Sequence, residues 1–152
     1  MRYDNAGSPL RKVQQQNHPD CFVCGSANGH GLDVEFRACG DGVVEGAFPS
    51  PARFAGYPKM IHGGVICTLL DGAMTNCLFA QGLAGVTVDM NVRFRHPMAI
   101  DRPATVRAWP EGEGSPIHRL AGEVVQDGQI VATATARFLE KRAMAWFARK
   151  TY

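Results

Sequence analysis

The chain has 152 residues, of which 45% are hydrophobic and 20% are charged, and its formal net charge is +2. These values are typical of one globular domain large enough to bury a core. The small charge argues against a nucleic-acid-binding protein, which usually concentrates basic residues on one face. No stretch approaches the roughly 20 apolar residues of a membrane span, and the polar start is unlike a secretory signal. We therefore expect a cytoplasmic protein with no membrane or nucleic-acid partner.

The two ends of the chain differ in composition from the part between them. Residues 1–17 are polar and contain a Gly-Ser-Pro break, which predicts a flexible N-terminal arm with a short helical turn at Leu10–Gln16. The folded domain is predicted to occupy residues 18–140, because no linker or repeat divides them. Residues 141–152 mix aromatic and basic side chains and are predicted to form a C-terminal tail with a short amphipathic helix.

A Cys-x-x-Cys turn formed by Cys21 and Cys24 follows the arm, with His18 and His30 on either side. Two thiols and two imidazoles are ligands of tetrahedral zinc, so a zinc site is one interpretation. We favour a tight turn of small buried thiols without metal, because the histidine spacing is not a standard one. A redox pair is disfavoured, since no helix follows Cys24 to lower its pKa. The cysteine count of five is odd, which indicates reduced thiols and not a disulfide framework.

The next part of the chain predicts a β-hairpin and then a long helix. Alternating apolar and polar residues predict strands at 32–37 and 43–48, and an irregular loop follows at 52–61. From about Gly63 to Ala80, apolar residues recur at steps of three and four, which predicts a helix with one buried face. Gly82 suits a left-handed cap at its end. The predicted buried positions include Ile66, Leu69, Leu70, Ala73, Met74, Cys77 and Ala80.

Four more strands complete the predicted domain. They are expected at 86–94, 103–109, 117–126 and 129–139. The last two are joined across Asp127-Gly128, a strong signal for a two-residue hairpin. In the strand predicted at 86–94, alternation places five side chains on one face: Val86, Val88, Met90, Val92 and Phe94. The order of hairpin, long helix and antiparallel meander predicts an α+β domain in which a curved sheet covers the helix.

The sequence resembles the hotdog-fold thioesterases, in particular the phenylacetate-pathway and 4-hydroxybenzoyl-CoA branch. Three stretches carry the resemblance: Cys21-x-x-Cys24-Gly25 followed by Gly31-Leu32; His62-Gly63-Gly64 with Leu69-Leu70-Asp71-Gly72-Ala73; and Thr87-Val-Asp-Met-Asn-Val-Arg-Phe-Arg-His-Pro97. It spans about residues 21–141. The resemblance implies a long central helix wrapped by a curved antiparallel sheet, and hydrolysis of acyl-coenzyme A thioesters at the interface of a homodimer. It also implies frequent pairing into homotetramers and no metal or redox cofactor.

Asp71 is the candidate catalytic carboxylate. A lone charge in an apolar helix must face water, find a partner or do chemistry. We interpret Asp71 as a general base that activates water, and a nucleophilic role is the alternative. Gly63 and Gly64 leave the first helical N–H groups open to a thioester carbonyl that gains negative charge. In the family, the position that Thr87 matches can help to orient the water.

The spacing of these residues predicts an oligomer. His62 and Asp71 are nine residues apart, which on one helix is ~13 Å of rise and about half a turn of rotation. Both ends of this segment therefore cannot serve one small reacting group within a single chain. A two-fold axis could bring the Gly63-Gly64 end of one helix to the Asp71 of its partner.

Four further side chains are candidates for substrate binding: His62, Arg93, Arg95 and His96. The last three lie at a strand end, where they could meet the coenzyme A phosphates, and a solvated strand end is the alternative. For His62 the alternative is a structural side chain that fixes the loop. Some relatives carry an amide side chain six residues before this histidine. Here Gly56 takes that place, which leaves only backbone donors for the carbonyl.

The leading hypothesis is an acyl-coenzyme A thioesterase acting on an aryl or medium-chain acyl group. The principal alternative is a non-catalytic acyl-CoA-binding module on the same fold, which the retained Asp71 disfavours. A hydratase would need a His and an Asp a few residues apart on the helix, and the sequence has no such pair. A zinc-binding interaction domain built on Cys21 and Cys24 is the remaining alternative.

Overall fold

The computed structural model describes residues 7–148, with side chains as far as Met144. Six antiparallel strands form one sheet in the order β1-β2-β4-β5-β6-β3. Their bounds are β1 Phe36–Gly40, β2 Val43–Phe48, β3 Gly85–Phe94, β4 Ala104–Pro110, β5 Ile117–Gln126 and β6 Gln129–Glu140. Helix α2, at Gly63–Ala80, contacts every strand of this sheet. The predicted α+β architecture with one long central helix is confirmed.

Helix α2 ends as the sequence predicts. Gly82 has a φ of +76°, which a glycine adopts without the steric cost of a Cβ. Its N–H donates to the carbonyl of Phe79 at 3.0 Å, and the N–H of Leu83 donates to the carbonyl of Leu78 at 3.0 Å. These two bonds form the Schellman cap and satisfy carbonyls that the helix itself leaves without donors.

The second half of α2 is buried on all sides. Every residue from Gly72 to Phe79 is buried, so the prediction of a single buried face is wrong for this half. By length and composition alone α2 could cross a membrane, with a mean hydropathy of 1.3, but 61% of it is buried inside the fold. Its burial on all sides thus reflects cover from two directions, by the sheet and by an N-terminal layer.

That N-terminal layer begins with a helix. Residues Pro9–Asn17 form α1, which Ser8 caps by accepting from the N–H of Arg11. Helix α1 packs against α2 and buries Leu10. The predicted helical turn is therefore confirmed, and the prediction of a flexible arm is wrong for these residues. Residues 1–6 lie outside the described part of the chain.

The first strand starts later than predicted. Leu32, Val34 and Phe36 are all buried, so the alternation of burial is as expected. However, the N–H groups of Leu32 and Val34 donate to the carbonyls of Phe22 and Val23. Because these bonds go to the cysteine turn, the ladder with β2 begins only at Phe36. Strands β2, β4, β5 and β6 each begin and end within one residue of the predicted bounds.

Strand β3 lies at one edge of the sheet and contains a β-bulge. It pairs with β6, and the register shifts between Thr87 and Asp89, so Val88 is the extra residue. A bulge reverses the alternation of side chains. The five predicted residues therefore do not share one face. Met90 and Val92 pack on the core, whereas Val88 is 53% exposed.

The C-terminal residues Lys141–Ala148 form helix α3 directly after β6. A short helix in the tail is thus confirmed. The aromatic side chains of the tail, Trp146 and Phe147, and residues 149–152 lie outside the part of the chain that the structure describes. The Nζ of Lys141 donates to the Oδ1 of Asn17 at 3.1 Å, which places the start of α3 beside the end of α1.

Candidate active site

The N-terminus of α2 is capped by its own preceding residue. The Nδ1 of His62 accepts from the N–H of Gly64 at 2.8 Å, and the carbonyl of His62 accepts from the N–H of Val65 at 2.9 Å. The prediction that both glycine N–H groups are open is therefore wrong for Gly64. Within residues 7–148, the Gly63 N–H makes no hydrogen bond, which leaves it as the donor available to a ligand. The cap bond gives His62 a structural role, and its part in substrate binding stays a prediction.

An open cavity of about 700 Å³ lies at this end of the helix. Its wall is largely apolar and includes Ile61, Ile66 and Met98. Its remaining lining residues include Tyr57, His62, Gly63, Phe94, Arg95 and His96. Three of the four predicted binding side chains therefore meet here. Arg93 is not among the lining residues and is exposed on β3.

Phe94 is a cavity residue that the sequence did not single out. Its ring atoms lie 3.5 Å from the position that a Cβ on Gly63 would take. The aromatic ring thus forms one wall beside the open N–H. Spacing could not reveal this contact, because it depends on where the end of β3 crosses the start of α2.

Asp71 meets Thr87 within the same chain. The hydroxyl of Thr87 donates to the Oδ1 of Asp71 at 2.5 Å. Asp71 is half-buried on α2, and Thr87 is exposed at the start of β3. The bulge at Val88 puts Thr87 on the helix side of the strand, the side on which Met90 and Val92 pack. Two residues nominated separately from the sequence are therefore neighbours.

One chain does not bring the two ends of this site together. Gly63 and Asp71 are eight residues apart on α2, which corresponds to ~12 Å along the axis. Asp71 is not among the residues that line the cavity. Between them runs a partly uncovered stripe of the helix: Gly64, Cys67, Thr68 and Asp71. Val23 of the N-terminal layer packs against α2 at Gly72, just beyond this stripe.

The cysteine turn brings three of its four candidate ligands together. One ligand atom each of His18, Cys21 and Cys24 lie within 4.8 Å of one another. His30 is exposed and does not belong to this group, so the predicted set of four is reduced to three. Hydrogen bonding between the two thiols lowers the pKa of Cys21 and raises that of Cys24.

Comparison with known proteins identifies the family. A family model described as the thioesterase superfamily matches residues 59–141, more than half of the chain. The chain belongs to the thioesterase superfamily. The match includes α2 with Asp71 and the whole of β3 with Thr87. No curated protein sequence matches the chain.

Solved structures of thioesterases share the fold of this superfamily member. A thioesterase superfamily protein is 26% identical, with a TM-score of 0.73; the match covers 78% of this chain and 62% of that one. A phenylacetic acid degradation-related thioesterase from Ralstonia eutropha JMP134 is 23% identical, with a TM-score of 0.71, over 87% and 99% of the two chains. A hypothetical thioesterase from Streptococcus pneumoniae TIGR4, solved with coenzyme A, is 21% identical, with a TM-score of 0.67, over 71% and 88%.

These structures confirm the hotdog fold for the superfamily member described here. The present chain spans less than two thirds of the first of these proteins. At identities below 25% the other two show the fold alone. What they bind is therefore a property of those proteins, and the substrate of this chain is argued below from its own residues.

Proposed function

We propose that the protein hydrolyses acyl-coenzyme A thioesters that carry an aryl or medium-chain acyl group, as a homodimer or a pair of dimers in the cytoplasm. The apolar wall of the 700 Å³ cavity suits such an acyl group. Arg95 and His96 at the same cavity offer cationic or donor groups to phosphate oxygens. The structure of the pneumococcal thioesterase with coenzyme A supports the choice of acyl carrier.

The observation that carries this proposal is the Asp71–Thr87 pair. The Thr87 hydroxyl occupies Oδ1 of Asp71, so the second oxygen, Oδ2, remains to accept a proton from water. Asp71 takes that proton as the water oxygen attacks the thioester carbon. The carbonyl oxygen gains the negative charge, and the Gly63 N–H stabilises it together with the positive end of the α2 dipole. Collapse of the tetrahedral intermediate expels the coenzyme A thiolate, which takes up the proton held by Asp71, and the acyl group leaves as a carboxylic acid that releases its own proton to solvent.

Two copies complete the site in this proposal. The uncovered stripe of α2 ends at Asp71, and the exposed edge of β3 lies next to it with Val86, Val88 and Phe94 at the surface. An exposed apolar edge strand is a ready site for pairing with another chain. A two-fold axis along these edges would direct the Gly63 end of one helix at the Asp71 of the other. The uncovered stripe of α2 and the exposed edge of β3 are both features of a single chain.

Replacement of Asp71 by asparagine tests the catalytic role. We expect Asp71→Asn to lower kcat by roughly 10²–10⁴-fold, because the amide keeps the shape but cannot accept the proton. Release of free thiol from a panel of aryl and medium-chain acyl-CoA thioesters measures the rate. Asp89→Asn is the matched control, since Asp89 lies two residues after Thr87 and pairs with Arg137.

Equal turnover by wild type and Asp71→Asn would remove Asp71 from the mechanism. An acyl-enzyme that accumulates on Asp71, detected by mass spectrometry in rapidly quenched reactions, would support the nucleophilic alternative over the general base. Tight acyl-CoA binding by calorimetry without any turnover would favour the non-catalytic module.

A further inference from the structure

A second cluster of chemically reactive side chains lies far from the cavity, near the C-terminal half of α2. It consists of His18, Cys21 and Cys24, whose candidate ligand atoms are within 4.8 Å of one another. His18 is the residue that follows α1. The two cysteines belong to the turn that continues toward β1. The mechanism proposed above makes no use of these three residues.

The backbone of the turn holds the three side chains together. The N–H of Gly25 donates to the carbonyl of Cys21 at 2.7 Å, and the N–H of Cys21 donates to the carbonyl of His18 at 3.4 Å. A Cβ on Gly25 would lie 2.3 Å from the backbone nitrogen of Cys21. Only glycine fits so close to another backbone, and a Cys-x-x-Cys turn of this compactness is typical of zinc ligands.

The surroundings contain a polar atom with no partner. The Nδ1 of His18 is buried and makes no hydrogen bond within the described residues. Buried polar groups almost always have a partner, so this nitrogen calls for a ligand. The ring itself is fixed against Phe79 in an edge-to-face contact, with centroids 5.0 Å apart. It therefore cannot turn freely toward solvent.

The sulfur of Cys24 is also supported by an outer partner. The Nδ2 of Asn76, a fully buried residue of α2, donates to the Sγ of Cys24 at 3.5 Å. The Nε2 of Gln14 donates to the carbonyl of Cys24 at 2.7 Å. Donors of this kind orient metal ligands and stabilise the negative charge of a thiolate. Helix α2 thus supports the sulfur of Cys24, and helix α1 supports its backbone.

We propose that His18, Cys21 and Cys24 bind a structural Zn²⁺ ion that ties the end of α1 to the cysteine turn. Two thiolates and one imidazole favour zinc over magnesium or calcium, which prefer oxygen ligands. The three protein ligands leave a fourth coordination position, which solvent can reach through the shallow cavity that His18 and Cys21 line. Both cysteines bind as thiolates, so any thiol protons are released to solvent on binding.

Metal content and cobalt substitution test this site. Protein purified under reducing conditions, without a metal-affinity column, is expected to contain about one zinc per chain by mass spectrometry of the metal. Replacement with Co²⁺ should give the near-ultraviolet absorption of thiolate-to-cobalt charge transfer. Cys21→Ser and His18→Gln are expected to lose the zinc, whereas Cys39→Ser, at an exposed cysteine on β1, should retain it.

Several results would overturn the site. Reduced, metal-free wild type that takes up neither Zn²⁺ nor Co²⁺ at micromolar concentration contradicts it, and this measurement needs no variant to fold. Equal loss of zinc from Cys39→Ser and Cys21→Ser would show that the metal binds elsewhere. A Cys21–Cys24 disulfide that takes up no metal after reduction would identify the pair as a redox couple. Removal of bound zinc by a chelator should lower the melting temperature of wild type, and an unchanged temperature would exclude a structural role.

Discussion

Thr87 donates its single hydroxyl proton to the Oδ1 of Asp71, and in the proposed mechanism this bond leaves Oδ2 to accept the proton from water. The sequence nominated both residues, Asp71 as a charge in an apolar helix and Thr87 through a family resemblance. Their direct contact at 2.5 Å was not predicted. Strict alternation along β3 counts Thr87 on the face opposite Met90 and Val92. The bulge at Val88 reverses this assignment. A valine at this position does not predict a bulge, because valine is common in regular strands.

At the scale of the residue, removal of this hydroxyl has a defined consequence. We expect Thr87→Val to lower kcat by roughly 10- to 100-fold, because a hydrogen bond to a charged group is worth about 1.5–3 kcal/mol. Thr87→Ser keeps the donor and should remain close to wild type. Steady-state thiol release measures kcat, and thermal unfolding checks the fold. Full activity in Thr87→Val would mean that the hydroxyl does not position the carboxylate.

At the scale of the element, the sequence predicted most of the sheet and the ends of α2. Strands β2 and β5 have their predicted bounds, because their alternation and their turns point to the same residues. The start of β1 was misplaced because the backbone of Leu32 and Val34 bonds to the cysteine turn. The packing of α1 on α2 was also not predicted, because a short polar segment contains too few apolar residues to indicate a buried face.

The contact between α2 and its N-terminal cover is testable through Gly72. A Cβ at this position would lie 2.6 Å from the Cγ1 of Val23, which is too close for either residue to remain in place. We expect Gly72→Ala to destabilise the protein by about 1–3 kcal/mol, although alanine is the better helix former. Chemical denaturation measures the free energy of unfolding.

Val23→Ala supplies the matched control for this prediction. Alone, it should cost stability by leaving a small cavity. Combined with Gly72→Ala, it should cost less than the sum of the two single changes, because the added methyl group fills the vacated space. Strict additivity of the two free energies would show that Gly72 and Val23 do not contact each other.

At the scale of the whole molecule, the separation of Gly63 from Asp71 makes a prediction about mixed dimers. Gly63→Pro removes the open N–H, and proline suits the first position of a helix. Each of Gly63→Pro and Asp71→Asn should be inactive alone. A dimer that contains one chain of each has one intact site if the site spans two chains. Subunit exchange in an equimolar mixture should therefore restore about a quarter of wild-type activity.

The outcome of this mixing separates two arrangements of the site. If Gly63 and Asp71 of the same chain acted together, no mixed dimer would contain an intact site and activity would stay at the level of the parents. Chains that carry two different affinity tags report the fraction of mixed dimers and so control for the efficiency of exchange. A dimer could be proposed from spacing along a helix. Its contact surfaces could not, because they depend on which strand becomes the edge of the sheet.

The extra residue at Val88 has a consequence for comparing this protein with its relatives. It divides β3 into two segments. The side chains that face the helix in the second segment are shifted by one residue from the positions that strict alternation from the first segment would give. A relative with one residue fewer at this point would still contain the aspartate and the threonine. Its threonine side chain would, however, lie on the opposite face of the strand, away from the aspartate. The number of residues between the aspartate and the threonine therefore cannot decide whether a relative forms the hydrogen bond between them.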